Sequence, residues 1–511
     1  MVLLTELPPE IVQHVLGYVD PPDLAWIPRI CKSFYHTVKG NATLFKLVYL
    51  NNFDTPPAKA NVDWEQALKN TVRLQVICRR DSIQDKKDEL PFVYDTVKSL
   101  LQNAATDTER VRSTTHSSSR NATLLSSLFE DVTNQAAFLC RSFIYERARQ
   151  ELTTEDYADA QPKPHHQQSA HLHCLYGVPM LYAHPESHRT RRSKMNPFAC
   201  SKVYDLRQYT ENTKWGPFMD DTTDRVDWEK VEAIMVVIGY NLRKHPEHYA
   251  HKNFWKTPFA GTWPGSYKPF PVVREPDPLE LQDPYDVTGT WLRVVCFLDY
   301  TDFFAYNFTS EEQMPPHIPR PAINVGEATR LILMKIRVTR IEPPGPDDGQ
   351  DLPVVHFEGI SRSLDESYDE NANSDLRGSV RLTREGEVRW TTFSVFGGVE
   401  RWRSESVQIG GVRSAKGILG NWFDKDFDPR GPAGPTAFWK ISDRASLSSG
   451  HNALVQDILP LIQDQPDEAT DEHDISYSED DDDDEDEYED EEPGLELEIT
   501  GLSWVTWTDD D

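Results

Sequence analysis

The chain has 511 residues, more than one hydrophobic core usually holds, so we expect two or three domains. Its formal net charge is −31, but residues 464–511 contain 24 acidic residues and no Lys or Arg. The other 60 acids nearly balance the 53 bases, which leaves an ordinary charge of −7 on the rest of the chain. This balance excludes the basic face that a nucleic-acid-binding protein needs, and the acidic tail would repel nucleic acid.

Neither secretion nor a membrane is indicated. The opening MVLLTELPPE has no basic stretch followed by an apolar one, as a signal peptide would, and no apolar run approaches the roughly 20 residues of a membrane span. The six cysteines are scattered without C-x-x-C pairs. We therefore expect reduced thiols and a protein of the cytoplasm, the nucleus or both.

The first predicted unit, residues 1–50, is a compact cluster of short helices. Prolines open the first helix, in which aliphatic residues recur at helical spacing, and Asp20-Pro21-Pro22 closes it. The apolar stripe continues through broken second and third helices and ends in a fourth around Leu44. So small a unit cannot bury all these side chains alone. Part of its apolar surface should belong to a partner.

This segment resembles the F-box, a motif that begins LPxE-[IL], passes through a P-x-D-L step, and ends with V-C-[KR]-x-[FW] and a late L-[WF] pair. The residues that carry the resemblance are Leu7, Pro8, Glu10, Ile11, Pro21, Asp23, Leu24, Ile30, Cys31, Lys32, Phe34, Leu44 and Phe45. Two of them depart from the pattern, since Ile30 replaces the commoner Val and Phe45 the usual Trp. Both exchanges are apolar and similar in size.

The resemblance implies a receptor that binds a Skp-family adaptor and, through it, a cullin and a RING protein. Such a receptor holds a target protein near a charged ubiquitin-conjugating enzyme, and supplies no catalytic group and no cofactor. The adaptor-binding side chains would be Leu7, Pro8, Ile11, Val15, Leu24, Ile30, Cys31 and Phe34.

Residues 51–250 are predicted to be helical. The clearest helix follows Asp227, a plausible N-cap, with Val231, Ile234 and Ile238 in its buried face. In residues 251–445 the period changes to short runs rich in β-branched and aromatic residues, which predict eight or nine strands of a closed or nearly closed antiparallel barrel. FFAYNF is one of these runs. We thus expect an α+β multidomain chain in which this barrel is the substrate domain and an acidic tail follows it.

The run that contains Ile332, Met334, Ile336 and Val338 alternates with polar residues such as Lys335, which predicts one face in a core and the other in polar surroundings. At the first strand, Gly289-Thr290-Trp291 is similar to the G-x-W that opens lipocalin-like barrels. There the glycine permits tight chain passage and the tryptophan plugs the closed end. The strings WGPF, GVRSAKGILGNWFDKD and GPTAFWK are also similar to F-box proteins of mushroom-forming fungi.

A histidine-rich stretch offers possible zinc ligands at His171, His173 and Cys174, with Cys200 or His188 to complete the set. The spacing fits no standard zinc finger, which favours a polar loop leading into a strand or helix at HLHCLYGV. No motif of nucleophilic, phosphate-binding or metalloprotease chemistry is present. We therefore expect no metal, no cofactor and no catalysis.

Other candidate sites concern the target and the tail. Trp390, Trp402 and Trp422 are candidate anchors for a target protein, although a buried strand aromatic is the simpler interpretation of each. The acidic stretch within residues 463–494 is predicted to be disordered, and Ser476 and Ser478 precede acids as in substrates of acidophilic kinases. A solubilising role is the alternative for this tail, and the segment LELEITGLSWVTW after it could add an edge strand or bind a partner.

Two further functions remain open. The protein could be an adaptor-bound scaffold that works outside a ligase, or its barrel could carry a small apolar ligand. Adaptor-dependent turnover of a bound partner would separate the first from the receptor. A void inside the barrel would favour the second, since a barrel of eight strands is normally filled by its own side chains.

Overall fold

The computed structural model describes residues 7–106, 119–149, 163–178, 188–244, 257–267, 275–308, 318–364 and 373–443. The acidic tail, Ser476, Ser478 and the segment that follows them lie outside these residues. No helix in the described part of the chain combines the length and the apolarity that a bilayer-spanning segment needs.

The N-terminal domain is the predicted cluster of short helices. Proline stands at the first position of two of them, where its missing N–H costs no hydrogen bond. Asn41 caps the longest helix by accepting from the Leu44 N–H at 3.0 Å. The elements are α1 (Pro9–Leu16), α2 (Pro21–Leu24), a 3-10 turn (Ile27–Arg29), α3 (Lys32–Val38) and α4 (Ala42–Asn52).

The middle of the chain is helical, as predicted. Its helices are α5 (Trp64–Cys78), α6 (Ile83–Lys87), α7 (Leu90–Gln102), α8 (Arg120–Phe129), α9 (Val132–Asn134), α10 (Phe143–Ala148), α11 (Pro164–Tyr176), α12 (His188–Tyr204) and α13 (Trp228–Lys244). The predicted N-cap of α13 is confirmed, because Asp227 Oδ1 accepts from the Glu229 N–H at 3.1 Å. Val231 and Ile234 are fully buried, and α13 packs on the outer face of the barrel.

The N-terminal domain joins the helical middle through a buried carboxylate. Asp54, just after α4, accepts from the Arg120 N–H at 2.9 Å at the start of α8. Its own N–H donates to Asn121 Oδ1 at 3.0 Å. A carboxylate at a helix N-terminus satisfies N–H groups that have no partner within the helix. This contact holds the first domain to the helices that follow it.

The C-terminal part is a closed antiparallel barrel of eight strands, in which each strand pairs with its neighbours in sequence and the last pairs with the first. This confirms the predicted barrel. One of its hairpin turns lies at Glu385-Gly386, where Gly386 has φ +84. The strands are β1 (Gly289–Leu298), β2 (Glu327–Glu342), β3 (Val354–Ser363), β4 (Ser374–Leu382), β5 (Val388–Phe396), β6 (Val399–Gln408), β7 (Ile418–Asp424) and β8 (Ala433–Ser442).

One run predicted to be a strand of the barrel is not a strand. FFAYNF is part of a helix, α14 (Tyr300–Phe308), in the connection between β1 and β2. Phe303 and Asn307 are its buried residues, and their spacing of four is that of a helix face. On the outer face of β2, Lys335 is fully buried, whereas Arg337 is exposed.

The first strand begins in close contact with the last one. Gly289 has φ +151, and a Cβ there would lie 2.4 Å from the carbonyl oxygen of Ser442, so a side chain would clash with β8. The Trp291 ring is buried in the barrel, and its Nε1 donates to the Val287 carbonyl at 2.9 Å. Gly289 thus allows β1 to approach β8 closely, and Trp291 is part of the packed interior.

Candidate functional site

The N-terminal domain has two kinds of apolar residue. On α1, Val12 and Leu16 are buried and pack with Leu44 and Val48 of α4. Asn51 Nδ2 donates to the Gly17 carbonyl at 2.8 Å, which fixes the end of α1 against α4. This packing is the core of the domain.

A second apolar set on the same domain faces solvent. Ile11 and Val15 on α1 and Tyr18 just after it follow one another at helical spacing, and all three are exposed. A helix of an isolated globular domain normally shows one apolar face, whereas α1 shows two. We name the exposed apolar set by its members, which are Ile11, Val15, Tyr18, Trp26, Ile30 and Tyr35.

These side chains are a large share of the exposed apolar surface. Fourteen large hydrophobic residues are exposed in the described part of the chain, and six of them lie between Ile11 and Tyr35. Trp26 and Ile30 flank the 3-10 turn, with 61% and 67% of their surface exposed. Clustered exposed apolar residues mark interaction sites more often than scattered single ones do.

The eight adaptor-binding candidates divide into two groups. Pro8, Ile11, Val15 and Ile30 are exposed, while Leu7 and Cys31 are half-buried. Leu24 and Phe34 are buried in the core of the domain. In this conformation the two buried residues support the domain from its core, and the other six form part of its surface.

Sequence reasoning missed three exposed aromatic residues. Tyr18 stands one turn beyond Val15, Trp26 precedes the 3-10 turn, and Tyr35 lies in α3. The Arg29 guanidinium lies 4.4 Å from the centre of the Trp26 ring, which holds that ring on the surface. Helical spacing from Ile11 was the signal that could have identified Tyr18.

The proposed zinc ligands do not come together. The stretch HLHCLYGV is helical through Tyr176, one of the two predicted alternatives, and it belongs to the buried helix α11. His171 Nδ1 lies 2.9 Å from the Tyr94 hydroxyl, and its ring stacks on Trp228 at 3.5 Å between centroids. His173 Nδ1 lies 2.6 Å from Glu232 Oε1. Each histidine therefore has a structural partner of its own.

Burial shifts the pKa values of two side chains of α11. It lowers the pKa of His171 well below the ordinary value, so the ring is neutral at pH 7. It raises the pKa of the Cys174 thiol well above its ordinary value. The Cys174 thiol is therefore protonated at pH 7.

A different trio in the described residues brings three potential ligand atoms within 4.8 Å of one another, namely those of Glu146, His165 and His166. His166 Nε2 lies 3.0 Å from Glu146 Oε2, and His165 Nε2 lies 3.8 Å from Oε1. Burial would raise the pKa of Glu146, but hydrogen bonds from the two histidines hold it well below its ordinary value. The Glu146 carboxylate therefore holds the imidazole rings of His165 and His166 in place.

The three candidate tryptophans have different environments. Trp390 is fully buried inside the barrel, where its Nε1 donates to Gln408 Oε1 at 3.2 Å. Trp402 and Trp422 are half-buried and lie edge to face at 5.5 Å between ring centroids, near the other end of the barrel. Trp390 is thus the buried strand aromatic of the simpler interpretation.

The comparisons with known proteins concern the N-terminal domain. The family model of the F-box domain matches residues 4–46, which include α1 to α3 and the start of α4. No curated protein and no solved structure matches the chain. F-box domains typically bind Skp-type adaptors, and F-box proteins are generally non-catalytic substrate receptors. With an F-box domain at residues 4–46, this chain is an F-box protein.

Proposed function

We propose that this protein is the substrate-recognition subunit of a cullin-RING ubiquitin ligase. Its exposed apolar set would bind a Skp-family adaptor, which connects to the cullin and the RING protein. The barrel would bind the target protein. The observation that carries the proposal is the second apolar face of α1, exposed within a matched F-box domain.

The energetics favour a partner at this surface. Fully burying a large aliphatic side chain is worth about 1.5–3 kcal/mol relative to leaving it exposed. Ile11, Val15 and Ile30 each keep more than 40% of their surface exposed in the chain alone. A partner that covers these side chains would gain this free energy on binding. Trp26 and Tyr35 are residue types that dominate interface energetics.

A non-catalytic role agrees with the state of the thiols. Burial raises the pKa of Cys78 to about 12, and it raises that of Cys296 well above its ordinary value. Such thiols remain protonated at pH 7 and are weak nucleophiles. The protein would act by proximity, since holding a target near the conjugating enzyme raises its effective concentration. All six cysteines are free, which supports a reducing compartment such as the cytoplasm or the nucleus.

Adaptor binding is the first test. An Ile30→Glu variant should lose co-purification with the adaptor, because a carboxylate would be buried at the contact. Val399→Glu is the matched control, since Val399 is 66% exposed and Ile30 is 67% exposed. Val399 lies in the barrel and its variant should bind normally. Failure of the wild type to bind the adaptor would refute the proposal.

Ligase activity is the second test. The purified protein, adaptor, cullin and RING subunit are mixed with the activating and conjugating enzymes, and transfer of ubiquitin to the receptor itself is followed. Transfer should occur with wild type and Val399→Glu, and fail with Ile30→Glu. Adaptor binding without transfer would instead favour a scaffold that works outside a ligase.

A further inference from the structure

The interior of the barrel has two unlike halves. The half that contains the start of β1 is filled by large side chains, with Trp291, Met334, Phe357, Trp390 and Phe438 all buried. The Trp390 ring lies 5.0 Å from Trp291 and 5.6 Å from Phe438 between centroids. An eight-stranded barrel is just wide enough for such side chains to fill. This half therefore holds a packed core.

The half near the other end is lined by small side chains. Residues paired across neighbouring strands point to the same face of the sheet. The inward-facing row that contains Trp390 therefore also contains Ser406, Gly420 and Thr436. The next row contains Thr392, Ser404, Trp422 and Gly434. Apart from the two tryptophans, the side chains of these two rows carry hydroxyl groups or are glycines, so this half is lined with polar groups.

Two arginines face this polar half, Arg293 on β1 and, opposite Val295, Arg330 on β2. Arg293 lies two residues after Trp291 on β1, so it faces inward, and only 6% of its surface is exposed. Its Nε donates to Thr436 Oγ1 at 2.9 Å, which directs the guanidinium toward the hydroxyl-lined rows. Within the described residues, no carboxylate pairs with Arg293, and its two terminal nitrogens have no hydrogen-bond acceptor.

A buried cation without a counter-charge is unfavourable, because it loses its hydration and gains no ion pair. Burial lowers the pKa of Arg293 to about 10, so the group still carries its charge at pH 7. A second unsatisfied polar atom lies in the row that contains Thr436. Ser406 Oγ is buried there without a hydrogen-bond partner in the described part of the chain. Arg293 and Ser406 are thus separate signs of an acceptor ligand.

We propose that the barrel interior binds the carboxylate of a small organic acid, with Arg293 as its charge partner and Ser406 as an additional donor. The two free terminal nitrogens of a guanidinium match the two oxygens of a carboxylate. Trp402 and Trp422, toward the opposite end of the barrel from Trp291, would contact a flat apolar part of the ligand.

This site goes beyond the proposed function and does not depend on it. The F-box domain could bind its adaptor whether or not the barrel holds a ligand, and the ligand test needs no adaptor. It also changes the earlier hypothesis of an apolar ligand, since Arg293 requires an anionic group.

Calorimetric titration of the full-length protein with phenylacetate at pH 7 tests the proposal. We expect a dissociation constant below about 1 mM and binding at least tenfold tighter than that of phenylacetamide, which has the same shape without the charge. Arg293→Gln should weaken phenylacetate binding at least tenfold. Arg337→Gln is the matched control, because Arg337 is an exposed arginine on the outer face of β2.

Thermal denaturation of the same variants separates a binding role from a structural one. A guanidinium that serves a ligand is a cost to the empty protein, so Arg293→Gln should leave the melting temperature unchanged or raise it. Absence of phenylacetate binding to the wild type would overturn the proposal, as would equal binding by Arg293→Gln. Tighter binding of inorganic phosphate than of phenylacetate would overturn the choice of a carboxylate.

Discussion

Arg389 Nε donates to Glu405 Oε2 at 2.8 Å across β5 and β6, and the carboxylate is fully buried. Arg403 Nε donates to the other oxygen of Glu405 at 2.9 Å. Burial alone would raise the pKa of Glu405, but the charges of the two arginines hold it below its ordinary value. The carboxylate is therefore ionised at pH 7 and joins two neighbouring strands on the outer face of the barrel.

Replacing this carboxylate should destabilise the protein. Glu405→Gln leaves two partly buried guanidinium groups without their fully buried counter-charge, and we expect the free energy of unfolding to fall by about 3 kcal/mol at pH 7. Chemical denaturation measures the difference. Glu385→Gln, at an exposed position in the β4–β5 turn, is the control and should change stability by less than about 0.5 kcal/mol.

The contribution of Glu405 should depend on pH in one direction. Because its folded pKa is lowered, the stabilisation is present above the unfolded pKa of about 4.3 and is lost as the pH falls through the folded value. The stability difference between wild type and Glu405→Gln should therefore begin to shrink as the pH falls below about 4.3, and it should vanish only below the folded pKa. A difference that stays constant down to pH 3 would contradict this account.

Two glycines with the same backbone angle provide a test of close packing. Gly410 and Gly386 both have φ +84, where a side chain is strained. A Cβ at Gly410 would lie 2.6 Å from the backbone of Thr262, whereas a Cβ at Gly386 would meet nothing within 4 Å. Gly386→Ala should cost about 1–2 kcal/mol from the backbone alone. Gly410→Ala should cost about 1–3 kcal/mol more, because the contact with Thr262 must open.

Thermal denaturation of both alanine variants measures this difference. Since the backbone strain is common to the two sites, it cancels in the comparison. Equal losses at Gly410 and Gly386 would show that the segment around Thr262 yields freely.

The F-box domain should separate stability from adaptor binding. Leu24 is 3% exposed and Ile30 is 67% exposed, although both belong to the matched motif. Leu24→Ala should lower the free energy of unfolding by about 2–5 kcal/mol, because it leaves a cavity. Ile30→Ala should change it by less than about 0.5 kcal/mol and still weaken adaptor binding. Urea denaturation and adaptor titration of each variant test the two effects, and a stability loss in Ile30→Ala would contradict the surface assignment.

Sequence patterns identified those parts of the fold that depend on local periodicity. Alternation along β2 placed Met334 and Ile336 in a core, and both are buried inside the barrel. The spacing of Val231 and Ile234 likewise identified the buried face of α13. These patterns succeed because burial of one face imposes its period directly on the sequence.

Contacts between distant residues were not visible in the sequence. The partners of His171 are Tyr94 and Trp228, far from it in both directions along the chain. Arg293 reaches Thr436, which is 143 residues away, only because β8 closes on β1. Pairing across the barrel decides which polar residues meet, and no local period records it.

The error at FFAYNF has a local cause that sequence reasoning overlooked. Aromatic residues favour strands, and their number suggested one here. The preceding Asp299 is a helix cap, since its Oδ1 accepts from the Thr301 N–H at 2.8 Å and its carbonyl accepts from the Phe303 N–H at 2.9 Å. The cap and the burial of Phe303 together outweigh the strand preference of the aromatics.

This explanation predicts a specific effect of removing the cap. Asp299→Ala should destabilise α14 by about 1 kcal/mol, while Asp299→Ser, which keeps an acceptor oxygen, should lose only a small part of that. Amide hydrogen exchange in residues 300–308 measures the change, and faster exchange should be confined to this helix in the alanine variant. Unchanged exchange in Asp299→Ala would mean that packing of Phe303 and Asn307 alone holds α14 in its helical form.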